Sequence, residues 1–140
     1  MAEGNGAVMN NFKEQLFLKT IDMVNDDLKI ALLVGWTPSV DLNPVYSNVS
    51  AYEFADSSYA TGGQSLGSKA VTQDDTANRG KFDAVDEIFE GLDGGTPGHA
   101  VLYDNTTASK WILCYWELGK AANGSDYKLQ FHTDGIIYLA

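Results

Sequence analysis

Two adjacent glycines, Gly62 and Gly63, constrain this chain more than any other feature, because they follow Tyr59 closely and lead straight into an alternating stretch. Glycine reaches positive φ without steric cost and lets one backbone approach another. A sharp structural bend at Tyr59, Gly62 and Gly63, feeding a sheet, is therefore expected. Beyond it Gln64, Ser65 and Gly67 interleave with Leu66, and Lys69, Val71 and Thr72 continue an extended, half-buried strand over 65–72. From Gly62 to Lys69 the run imitates a phosphate loop. Its closing pair is Ser68-Lys69 rather than Lys-Ser, however, and a strand follows where a helix N-terminus should complete the cradle.

At 140 residues the chain has the length of one domain, and its 44% hydrophobic and 11% aromatic content supports a real core. Nine basic and nineteen acidic residues give a formal charge of −10. That excess disfavours contact with nucleic-acid phosphates and suits a solvated surface or a basic partner patch. The single cysteine, Cys114, excludes an internal disulfide framework. Neither a secretory leader nor an apolar run of membrane-spanning length is visible, so synthesis in a cytoplasm and no membrane partner are expected.

Residues 1–11 are rich in glycine and asparagine and read as a flexible arm before a single β-rich domain over 12–140. Asn11, with Glu14 three residues on, is placed as the N-cap of a helix. The i,i+4 pairs Phe12 with Leu16 and Phe17 with Ile21 would press one helical face onto a sheet. The apolar run over 28–34 reads as a central strand, and a short helical turn follows the Pro44 loop, ending at Tyr52. Further strands are expected over 80–85, 98–103, 111–118, 127–132 and 135–139, with turns at Gly94-Gly95, Asn123-Gly124 and Asp134-Gly135. Val85, Phe89 and Leu92 fit a helical face as well as a strand, so periodicity leaves that segment open. The pattern is mainly β: an antiparallel sandwich or squat barrel with an N-terminal α-helix covering a face or an end.

Candidate chemistry does not converge in the sequence. His99 and His132 are the only histidines and Cys114 the only thiol, a poor donor set for zinc, and no Gly-x-Ser-x-Gly elbow supports a nucleophile. The acidic groups Asp26-Asp27, Asp74-Asp75 and Asp83/Asp86/Glu87 lack a calcium-loop pattern; spacing favours solvated turns and leaves a calcium loop open. Catalytic residues, a metal site and a cofactor are accordingly not expected. Alternation puts Trp111, Leu113 and Tyr115 on one strand face and Ile112, Cys114 and Trp116 on the other, which implies cover on both sides. Trp36, beside the Pro38 and Pro44 loop, is a candidate exposed anchor. Phe12, Leu16, Trp36, Trp111 and Trp116 form the candidate partner or subunit interface.

Several segments together resemble a family of small virion structural proteins of tailed bacteriophages. They are Asn11-Phe12-Lys13 with Ile21-Asp22, 28–33, 49–53, Tyr59 to Leu66, 71–74, 78–84, 100–103 and the closing Asp134-Gly135-Ile136. The resemblance implies a noncatalytic capsid decoration, or cement, protein that binds the major capsid protein on the outer head surface, commonly as a homotrimer. Two departures stand out: Phe54 to Ser58 replaces a glycine-richer approach to the tyrosine, and the strand after Lys110 is unusually rich in tryptophan. A tail, neck or fibre component and a carbohydrate-binding module are the alternatives. The last would stack sugars on Trp111 or Trp36.

Overall fold

The structure is a computed structural model and describes residues 7–140. Its strands are β1 (Ala7–Val8), β2 (Leu28–Leu33), β3 (Gln64–Ser65), β4 (Ala70–Asp74), β5 (Arg79–Asp83), β6 (Glu87–Phe89), β7 (His99–Asp104), β8 (Ile112–Glu117), β9 (Tyr127–Leu129) and β10 (Ile137–Leu139). One short helix, α1 (Asn10–Phe17), lies near the N-terminus. All pairings are antiparallel. They form a five-stranded sheet in the order β1-β8-β7-β2-β3, a three-stranded sheet β10-β5-β4 and the two-stranded pair β6-β9. The mainly β antiparallel class with an N-terminal helix is thus the class of the fold.

The centre of the large sheet is built from strands that are apolar on both faces. In β2 every residue but Lys29 is buried, and Ala100 to Tyr103 of β7 are equally dry. Pairing puts Ile30, Leu32, Ala100, Leu102, Cys114 and Trp116 on one face and Ala31, Leu33, His99, Val101 and Tyr115 on the other. Phe131 packs on Trp116 on the first face, and Trp36 packs edge-on against His99 and Tyr115 on the second. Cover on both sides of β8 is therefore real, and it explains why the strand alternates two apolar sets instead of apolar with polar.

The bend at the glycine pair lies at the edge of this sheet. Gly62 and Gly63 have φ of 93° and 77°, and a Cβ on Gly63 would meet the Ile30 carbonyl oxygen at 1.8 Å. Only glycine lets the chain lie that close to β2 before Gln64 pairs with Ile30. The expected strand over 65–72 is in fact split between two sheets. Ser68, at φ 50°, turns the chain between β3 and β4, and uninterrupted alternation gave no sign of the break.

The N-terminal expectation also needs correction. Residues 1–6 of the expected arm lie outside the described residues, but 7–11 are integrated into the fold. Ala7 and Val8 pair with Tyr115 and Cys114, the Met9 N–H donates to the Leu113 carbonyl at 2.9 Å, and Met9 is fully buried. Met9, not Asn11, is the N-cap, and no side chain caps the helix. The burial of Met9 against β8 fixes where the helix starts, overriding the capping preference of Asn11. At the other end Lys19 adopts φ 58° and terminates the helix, so Ile21 lies beyond it and Phe17 points into solvent, 90% exposed. The ambiguous segment after Val85 resolves as strand β6, paired with β9, with Phe89 and Leu92 buried and Val85 exposed. The expected turn before Tyr52 is two successive 3-10 turns, Tyr46–Asn48 and Ser50–Tyr52. No helix among the described residues is long and apolar enough to cross a membrane.

Candidate functional site

The small sheet β10-β5-β4 is more apolar on one face than on the other. Register places Val71, Phe82 and Ile137 in one row, and Gln73, Gly80 and Leu139 in the next, on the same face. Thr72, Lys81 and Tyr138 lie on the other. The apolar face meets Phe12 and Leu16 of α1 and Met23, but the fit is incomplete. A groove of about 180 Å³ remains between them, lined almost wholly by carbon. Of its lining, Val71 and Leu139 are each more than half exposed, and so are Phe17 and Leu18 at the end of α1. Exposed apolar surface beside an open groove marks an interaction site more often than chance.

Polar contacts hold that sheet in shape without covering it. Arg79 reaches Asp74 of the same hairpin and Asp134 of the turn before β10, both at 3.0 Å, and its guanidinium lies 4.7 Å from the Tyr138 ring centroid. The Ala77 N–H and the Arg79 guanidinium hold the Asp74 carboxyl below its usual range. Gly135, at φ 100°, brings the chain against Phe82, whose carbonyl accepts the Ile136 N–H at 2.8 Å. β4 is left as an edge, with Ala70 to Gln73 exposed.

A second constellation holds the glycine bend. Glu53 accepts hydrogen bonds from the Tyr46 hydroxyl, from the Tyr59 hydroxyl at 2.8 Å and from the Gly62 N–H at 2.5 Å. Tyr59 Oη also accepts from the Leu32 N–H at 3.1 Å, while Tyr103 donates to the Gly62 carbonyl at 2.6 Å and stacks on Tyr46. Burial, then the neighbouring carboxylate, pushes the Tyr46 and Tyr59 phenols up, and Tyr103 rises to about 12 for the same reasons. Phenols so disposed stay protonated and donate. The arrangement is a clasp on the bend. No motif singles out Glu53, although its three partners lie within nine positions of it, because they converge on it only once the intervening turns fold.

A third group pairs carboxyls. Asp104, at the end of β7, is fully buried; its Oδ1 accepts the Thr106 and Thr107 N–H groups at 2.8 and 3.3 Å. Its Oδ2 is buried without a hydrogen-bond donor among the described residues. Burial, and next the Asp26 side chain, push Asp104 up to about 6. Among the described residues no three His, Cys, Asp or Glu side chains gather as metal ligands.

The residues singled out from sequence are dispersed. Phe12 floors the groove and Leu16 lines it. Trp36 is not the exposed anchor expected of it: it is 5% exposed and donates from Nε1 to Asn43 at 3.3 Å. Trp116 is likewise buried against Phe131, so neither can present itself to a partner. Trp111 is half-buried, its backbone bridged to Val45. Cys114 and His99 lie on opposite faces of the large sheet, and burial pushes the Cys114 thiol up. His132 accepts the Asp134 N–H at its Nδ1. Of the acidic groups, Asp74 is taken up by Arg79 and Asp86 by Lys128 at 3.1 Å. Comparison with protein-family models, with curated proteins and with solved structures finds no match for this chain.

Proposed function

We propose that this chain is a noncatalytic virion structural protein of a tailed bacteriophage, a decoration protein that binds the major capsid protein on the outer head surface as a homotrimer. The sequence resemblance supplies the particle. The observation that carries the reading is the apolar groove between α1 and the β10-β5-β4 sheet, which exposed Val71 and Leu139 help to line. A solvated, acidic body with one such face suits a subunit whose work is attachment. Modest contacts repeated over a closed shell would add through multivalency and brace it against internal pressure. The polar clasp at Glu53 and the Asp104 carboxyl that holds Thr106 and Thr107 support the reading indirectly, since both hold loops.

The test is imaging of intact particles with the density of this chain located, together with its binding to heads that lack it. Density over the outer head lattice, and head occupancy lost on Val71→Asp, support the proposal. Density at the head-tail junction or along the tail would replace it with a neck or tail role.

A further inference from the structure

We propose that β4 pairs with β4 of a second copy across a two-fold axis, joining two β10-β5-β4 sheets into one six-stranded antiparallel sheet. The inference goes beyond the decoration reading and does not depend on it.

β4 is an unguarded edge. Its backbone pairs in regular register with β5, and among the described residues none of Ala70 to Asp74 has a backbone bond to any other strand. Edges are normally blunted by proline, a bulge or a central charge, and Ala70-Val71-Thr72-Gln73 has none of these. What the strand does carry is charge at its two ends, of opposite sign: Lys69 before it and Asp75 after it.

That placement selects both the partner and the register. In an antiparallel two-fold pair centred on Thr72, Val71 faces Gln73, Ala70 faces Asp74 and Lys69 faces Asp75 of the other copy, each contact made twice. Centring on Val71 would set Lys69 opposite Gln73, and centring on Gln73 would set Asp75 opposite Val71. Either shift loses both charge pairs. Self-complementarity about Thr72 is what an isologous contact requires, and opposite charges across strands stabilise the pair. Lys69 gives one N–H to the Asp26 carbonyl and Asp75 accepts from Gln73 on its own chain, so each retains capacity for the cross-pair.

The axis stands perpendicular to the sheet, so both copies keep the same face up. The exposed Val71 side chains and the two grooves then lie side by side on one face, and the apolar surface at the seam is shared. In a particle coated with trimers, the contact would link neighbouring trimers. The formal charge of −10 per chain opposes association at low salt, so the contact strengthens as long-range repulsion is screened.

Sedimentation equilibrium and oxidative cross-linking of the full chain at physiological ionic strength test the idea. Cys114 is buried, so an added cysteine reports alone. Thr72→Cys is expected to give a covalent dimer on oxidation. Asp75→Cys, whose partner position is Lys69, is expected to give none. Asp75→Lys should weaken the dimer by about tenfold or more, and adding Lys69→Asp should restore it, with circular dichroism unchanged in Asp75→Lys. A chain that stays monomeric without Thr72→Cys cross-linking, or an oligomer indifferent to Asp75→Lys, overturns the proposal.

Discussion

Gly63 lies so close to Ile30 that a Cβ on the glycine would sit 1.8 Å from the isoleucine carbonyl oxygen. The neighbouring Gly62 shares the left-handed backbone, but its Cβ would meet only the Tyr103 hydroxyl at 3.4 Å. The two glycines thus serve different needs: one close approach, one conformation.

Alanine substitution separates them. Gly62→Ala should cost ~1 kcal/mol, the strain of a left-handed residue with room for its methyl group. Gly63→Ala should cost ~4 kcal/mol or more, because β2 or the bend must move. Urea denaturation with both variants checks this, and equal costs would contradict the close approach as the reason for the pair.

The clasp on that bend depends on a carboxylate. Glu53 offers two oxygens to Tyr46, Tyr59 and the Gly62 N–H, whereas an amide offers one oxygen and a competing donor. Glu53→Gln should therefore destabilise the fold by ~1–3 kcal/mol through a stranded buried hydroxyl. Ultraviolet titration provides a second readout: in the parent protein Tyr46, Tyr59 and Tyr103 should ionise well above the ordinary phenol range, until unfolding releases them.

How far such features were legible follows from their range. The glycine pair, the run 28–34 and the doubly apolar strand around Cys114 are local patterns, and each sits in the element that its pattern implies. The groove and the meeting of Asp104 with Asp26 join residues far apart in the chain, whereas Glu53 lies within nine positions of its partners and meets them only once the intervening turns fold. Trp36 misled because a tryptophan beside prolines looks exposed, whereas its loop folds back over His99 and Tyr115. Phe17 misled in the opposite way: i,i+4 spacing to Ile21 suggested a buried face, and the left-handed Lys19 ended the helix between them.

The Asp104 and Asp26 pair makes stability depend on pH. Folding raises the Asp104 value to about 6, above that of the unfolded chain, so the folded state binds the proton more tightly. The pair's contribution is fully present below pH ~4 and is lost as pH rises through about 6. Asp104→Asn keeps an oxygen for Thr106 and Thr107 and supplies a permanent donor to Asp26. It should gain ~1–2 kcal/mol at neutral pH and nothing near pH ~3.5. Thermal melts across that range decide the matter, and a gain independent of pH would rule out the raised Asp104 value as its source.

The exposed apolar rim and the core beneath it should respond oppositely to substitution. Phe17→Glu changes a side chain that is 90% exposed and should leave the melting temperature within the range of a surface change, about 0.5 kcal/mol. Phe12→Ala opens the floor of the groove and should cost ~3–5 kcal/mol. If the groove face attaches the chain to heads, Phe17→Glu alone lowers occupancy without loss of fold, measured by pelleting with purified heads.

Truncation at the N-terminus distinguishes attachment from folding in the same assay. Removing 1–11 takes away β1, the buried Met9 and the first residues of α1, exposing the edge of β8 beside Cys114. That variant should lose ~3 kcal/mol or more, on the scale of a large buried side chain, and its failure to bind heads would be a failure to fold. Removing only 1–6 leaves every described contact in place and should melt like the parent. Lower head occupancy for this shorter truncation would assign those residues to the partner surface. Equal occupancy would leave attachment to the face around Phe17, Val71 and Leu139.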